Sequence, residues 1–84
     1  MSFQLTSPMR IWGAVTEIRP GMLELSGVSH VVGIGDSVTI EKPGQPLIGE
    51  VMSVSGERVD VLMFSSTEAA RIGDRAYVSQ QDEI

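Results

Sequence analysis

Apolar positions along the chain come in short alternating runs, each soon cut off by glycine or proline. Val38 and Ile40 share one face of their run, with Ser37 and Thr39 on the other. Leu23 and Leu25 oppose Met22 and Glu24 in the same way. A period of two is the mark of half-buried β structure, because side chains alternate across a strand. Turn signals punctuate the runs: RPG at 19–21, SG at 26–27, GIGD at 33–36, KPGQP at 42–46, SGE at 55–57 and IGD at 72–74. Glycine supplies corners of positive φ, and proline fixes φ at a first corner. The intervals predict strands at 10–18, 22–26, 37–41, 47–54, 58–64 and 75–79.

Two of these strands depart from plain alternation. The run 58–64 places Val59, Val61 and Met63 on one face and Asp60, Leu62 and Phe64 on the other. Its second face is more apolar than a solvated face requires, so Leu62 and Phe64 either sit under the following loop or meet a partner. The first strand has no clean period, and Gly13 marks a bulge or a bend there. The one helical candidate is SSTEAARI at 65–72, where Ser65 and Glu68 have capping-box spacing. Short helices are costly to nucleate, so a loop with a single helical turn is expected. Short strands with no helix to cover a sheet favour closure, which removes exposed edges. The predicted fold is all-β: a small closed six-stranded β-barrel.

Composition narrows the function. At 84 residues the chain is one domain with little room for a deep cleft. Lys and Arg total 6 against 11 Asp and Glu, a net charge of −5, which disfavours a phosphate-binding face and hence nucleic acid. The aromatics are one Trp, one Tyr and two Phe, few for stacking bases. The absence of cysteine removes disulfides and thiolate metal sites and fits a reducing cytoplasm. No apolar run approaches the roughly 18 residues that cross a bilayer, so direct membrane insertion is not expected. The start, MSFQLTSPMR, lacks the pattern of a signal peptide.

Candidate chemistry is sparse. The G-x-G of GIGD lacks a third glycine, with Val38 in that place, and a strand pattern follows it where a dinucleotide fingerprint needs a helix. A P-loop needs a lysine followed by Ser or Thr, and Pro43 follows the only lysine, Lys42. The core of GIGD returns as RIGD: Ile34-Gly35-Asp36 and Ile72-Gly73-Asp74 each precede an alternating strand. We therefore read Gly35, Asp36, Gly73 and Asp74 as register-setting turns, with each Asp accepting from backbone N–H groups two residues on. His30 is the only histidine and cannot build a typical zinc site alone. Serines have neither a G-x-S-x-G setting nor a placed histidine. No catalytic, cofactor-binding or metal-ligating residue is assigned. Phe3, Leu5 and Met9, spaced among polar residues, are candidate partner contacts together with Leu62 and Phe64.

The order of the motifs carries a resemblance. GAVTEIRPGMLELSGVSHVVGIGDSVTI, then IGEVMSVSGERVDVLMF, then RIGDRAYV, resembles the N-terminal β-barrel of the flagellum-specific export ATPases. These belong with the type III secretion ATPases and are related to the catalytic subunits of rotary ATP synthases. Gly13 and Val15 match the family's first strand, Leu25 and Gly27 its second, and Ile34, Gly35, Val38 and Ile40 its third. Gly49-Glu50-Val51, then Val61 to Phe64, then Ile72, Gly73 and Val78 match the last three. The segment LSGVSHVVGIGDSVTIE leans towards the flagellar over the virulence branch.

The resemblance implies a non-catalytic domain of a protein-export ATPase that works as a homo-hexamer in the cytoplasm, peripheral to the inner membrane at the export apparatus. Neighbouring subunits, a regulatory stalk protein and export-apparatus components are the implied partners. ATP and magnesium would belong to a P-loop catalytic domain, whose Walker lysine, catalytic glutamate and arginine finger have no positions here. The implied boundaries are a flexible segment at 1–9, the barrel at 10–80 and the start of a linker to that ATPase domain at 81–84. Relatives often carry a longer N-terminal helix for the regulator, against nine residues before the first strand here. A different reading of the same residues is a free-standing barrel adaptor that binds a protein or peptide.

Overall fold

The computed structural model describes residues 10–79. The segments at 1–9 and 81–84, with Phe3, Leu5 and Met9, lie outside the described residues. Six strands form: β1 Arg10–Arg19, β2 Met22–Ser26, β3 Ser37–Ile40, β4 Leu47–Ser55, β5 Arg58–Met63 and β6 Arg75–Ser79. They differ from the expected strands by one residue at four ends. Every pairing is antiparallel, and the strands close in the order β1-β2-β5-β4-β3-β6. The fold is thus the all-β closed barrel that the alternation implies, and closure leaves no strand edge unpaired.

The inward positions are the alternating apolar ones. Val15, Leu23, Leu25, Val38, Ile40, Val51, Val59, Val61 and Val78 are all buried, with Ala76 among them. Val28 and Ala70, from the loops before β3 and β6, complete the same core. No polar or charged residue is buried among the described residues, so the interior holds packed hydrocarbon.

Register gives the barrel an internal repeat. Exchanging β1 with β4, β2 with β5 and β3 with β6 reproduces every neighbour relation in the closed order. Gly13, Val15, Leu23, Glu24 and Leu25 then correspond to Gly49, Val51, Val59, Asp60 and Val61. The third strand of each half pairs only with strands of the other half, so the two halves interlock. Glycine is required at Gly13 and Gly49 by close approach. A methyl on Gly13 would stand 2.5 Å from the Ser26 carbonyl oxygen, and one on Gly49 would stand 2.6 Å from that of Leu62.

Two expectations are corrected. The bulge in β1 is not at Gly13: the register shifts between Val15 and Glu17, and β4 shifts likewise between Val51 and Ser53. Gly13 lets the strands approach, and the extra residue falls just beyond. The loop at 65–72 carries no helical turn. The Ser65 hydroxyl accepts from Ile48 N–H (3.2 Å), so it is held on β4 and does not cap Glu68. Ser66 accepts from Glu68 N–H instead (3.2 Å), within a tight turn closed by Ala70 N–H to Thr67 C=O (3.1 Å).

Candidate functional site

The glycine corners are built alike. In Gly33–Asp36 the Asp36 N–H donates to the Gly33 carbonyl (3.1 Å), and in Arg71–Asp74 the Asp74 N–H donates to Arg71 (3.0 Å). Gly35 and Gly73 occupy the third position with φ of 96° and 94°, which is type II turn geometry. Each aspartate then caps its own turn. Asp36 Oδ2 accepts from Gly33 N–H (2.8 Å), and Asp74 Oδ2 accepts from Arg71 N–H (2.7 Å). The expected acceptor role is thus directed three residues back, not two residues on, because the turn folds the first N–H over the last side chain.

Each corner also docks on a bulged strand. Gly35 N–H donates to Val51 C=O and Val51 N–H to Asp36 C=O, both at 2.9 Å. Gly73 N–H donates to Val15 C=O (2.8 Å), and Val15 N–H to Asp74 C=O (2.9 Å). These valines are the residues at which β4 and β1 shift register. The N–H groups of Gly33, Gly35 and Asp36, and those of Arg71, Gly73 and Asp74, are therefore spent on protein acceptors. A phosphate loop needs such groups turned outward to a ligand.

Asp74 has a further partner in Lys42 Nζ at 2.9 Å, with both side chains mostly covered. Partial burial pushes the Asp74 carboxyl upward, but the hydrogen bonds from Lys42 and from Arg71 N–H outweigh it and hold the group below its ordinary value. Asp36 and Asp74 sit in separate corners, each engaged in its own turn, and do not form an acid–base pair. His30 is exposed in the loop before β3. Among the described residues no group of His, Cys, Asp or Glu is placed to hold a metal ion. No helix among them is long and apolar enough to cross a membrane.

What the barrel does present is an apolar outer face. Phe64 is 63% exposed and Leu62 41%, so the loop after β5 does not cover them. The reason is local: Phe64 N–H and Ser65 N–H both donate to the Ile48 carbonyl, which draws the chain over β4 and away from Leu62. Ile48 joins the patch, and Leu62 lies between Met22 of β2 and Glu50 of β4 in register. Across the barrel, Trp12 and Tyr77 meet edge to face with ring centroids 5.1 Å apart. The Arg75 guanidinium lies over the Trp12 ring at 4.4 Å. Sequence reasoning picks out Leu62 and Phe64 but not Ile48, Trp12, Arg75 or Tyr77. The missing signal is register, which alone brings these residues together.

No family model matches the chain. Over 68 residues, 81% of its length, it is 29% identical to the "Flagellum-specific ATP synthase" of Treponema pallidum (strain Nichols). That match spans 15% of the relative's own length. The match and the closed six-stranded barrel together fit the resemblance to an N-terminal barrel domain that the motif order carries.

Proposed function

We propose that this barrel is the non-catalytic oligomerisation and docking domain of a hexameric, flagellar-type protein-export ATPase. The observation that carries the reading is the likeness to a flagellum-specific ATP synthase over 68 residues, 81% of the chain. The geometry supports it: the interior is filled, the glycine corners are spent on strand contacts, and the apolar surface faces outward. ATP and magnesium would act in a separate P-loop domain, and the barrel would hold neighbouring subunits in register while that domain turns over. Weak contacts suffice for this, because tethering through assembled core domains raises the effective concentration into the millimolar range. The setting would be the cytoplasmic side of the inner membrane, with export-apparatus components and a regulatory stalk protein as further partners.

The direct test is the reading frame downstream of Ile84, joined to a nucleotide titration. The proposal expects the frame to continue into G-x-x-x-x-G-K-[ST], with no ATP binding by the 84-residue chain in calorimetry. A stop codon directly after Ile84 contradicts it and favours the free-standing adaptor. Tight ATP binding by this chain contradicts both.

A further inference from the structure

The two halves of the barrel cannot close separately. β1 pairs with β6, β2 with β5, and β3 with both β4 and β6, so all of these ladders join residues 10–40 to residues 47–79. Only β1 with β2 and β4 with β5 pair inside a half. The core is matched across the same boundary. Leu23 faces Val61, Leu25 faces Val59 and Ile40 faces Ala76 in register, each time a larger residue of the first half against a smaller one of the second. Packing of this kind specifies a first half against a second half, whichever chain supplies it.

One stretch, 41–46, joins the halves. Its first two residues hold to the second half by themselves: Glu41 N–H donates to Arg75 C=O (3.0 Å), and Lys42 pairs with Asp74. From Pro43 to Pro46 every residue is exposed, and one backbone bond closes the reversal, Gln45 N–H to Pro43 C=O (3.2 Å). Gly44 makes that reversal at a φ of 89°, and a methyl on it would meet nothing within 4 Å. Lys42 and Gln45 each precede a proline, which biases both towards extended backbone. The linker thus turns back on one glycine and otherwise favours a straight course, with about 20 Å of reach when extended.

We propose that this linker is a hinge, through which two copies of the chain exchange residues 47–79 to form a dimer of two complete barrels. Each barrel keeps every ladder, the Lys42–Asp74 pair and the filled interior, while each chain gives up one exposed hydrogen bond. Exchange of an identical element is a low-cost route to dimers, and no part of the outer wall is needed for it. Gly44 holds the balance. A residue with a Cβ is strained in the reversed linker and relaxed in the extended one, and both linkers of a dimer are relieved together.

The test compares the 84-residue chain with Gly44→Ala and Gly44→Val, each refolded at millimolar concentration and read by sedimentation equilibrium. At about a tenfold penalty per reversed linker, Gly44→Val should tighten dimerisation about a hundredfold, and Gly44→Ala less. Exchange is separated from surface contact by adding Thr39→Cys and Ile48→Cys to a chain with no other cysteine. These two residues are register partners from opposite halves. Ile48 turns its N–H and C=O to Ser65 and Phe64, which leaves the pair in the close, non-hydrogen-bonded geometry that a disulfide spans. Oxidised after refolding, exchanged dimers carry their disulfides between chains and stay covalent dimers on a denaturing gel. Barrels that touch only by their surfaces run as single chains. Folded Gly44→Val that stays monomeric at millimolar concentration, or whose oxidised dimers run as single chains, overturns the exchange. Should circular dichroism show Gly44→Val unfolded, the same two readings on Gly44→Ala decide.

Discussion

Gly35 and Gly73 show how a single residue sets a corner. Space is free around both: a methyl group on either would meet nothing within 4 Å. Only their φ values, 96° and 94°, forbid a larger residue. Gly35→Val and Gly73→Val are expected to destabilise the barrel by roughly 1 kcal/mol or more, as loss of urea-unfolding free energy. The neighbouring aspartates are fixed by the turns they cap, and Asp74 gains a second anchor in Lys42. Because the Asp74 carboxyl is held below its ordinary value, its contribution is complete at neutral pH. It is lost as pH falls through the lowered folded value, below about pH 4. Lys42→Met should therefore cost about 1 kcal/mol at pH 7 and progressively less as pH falls below about 4, seen by following urea midpoints down through that range. The repeated Ile-Gly-Asp was legible in the sequence as a turn. The Lys42 partnership was not, since 32 residues separate Lys42 from Asp74 and only the barrel closure joins them.

At the level of elements, the alternation of Val38 with Thr39 or Val59 with Asp60 was enough to place the strands and their inward faces. Period-two burial depends only on which side chains avoid water. The bulges were not legible, because a register shift belongs to a pair of strands and β1 alone shows only an irregular period. Gly13 signals that β1 is irregular, but the bulge itself falls between Val15 and Glu17. The role of Gly13 is to let the Ser26 carbonyl pass closely, and Gly49 does the same for Leu62. The helical turn expected at Ser65 was lost to a tertiary competitor, the Ile48 N–H that takes its hydroxyl. The close approaches yield an ordering that local conformation would not suggest. At Gly49 an added methyl would also stand 2.7 Å from Met63 Sδ, so Gly49→Ala should cost roughly 2–3 kcal/mol. Gly35→Ala should cost less despite its positive φ, and parallel thermal melts of the two variants give the order directly.

Taken as a whole molecule, the barrel spends its interior on packing and its corners on strand contacts, which leaves the outer wall for function. The sequence marked Leu62 and Phe64 as surplus apolar positions on β5, because an alternating strand with one solvated face has no use for them. It could not mark the opposite face, where Trp12 and Tyr77 belong to strands far apart in the chain. The central claim is that this outer wall assembles the subunits of an export ATPase and takes no part in its chemistry. Sedimentation velocity of the chain joined to the nucleotide-binding domain that the proposal places downstream, with ATP present, compares the parent with Phe64→Glu most directly. The account predicts hexamers for the parent and mainly monomers or small oligomers for the variant, with ATP affinity unchanged. Hexamers of equal stability in both proteins would contradict it.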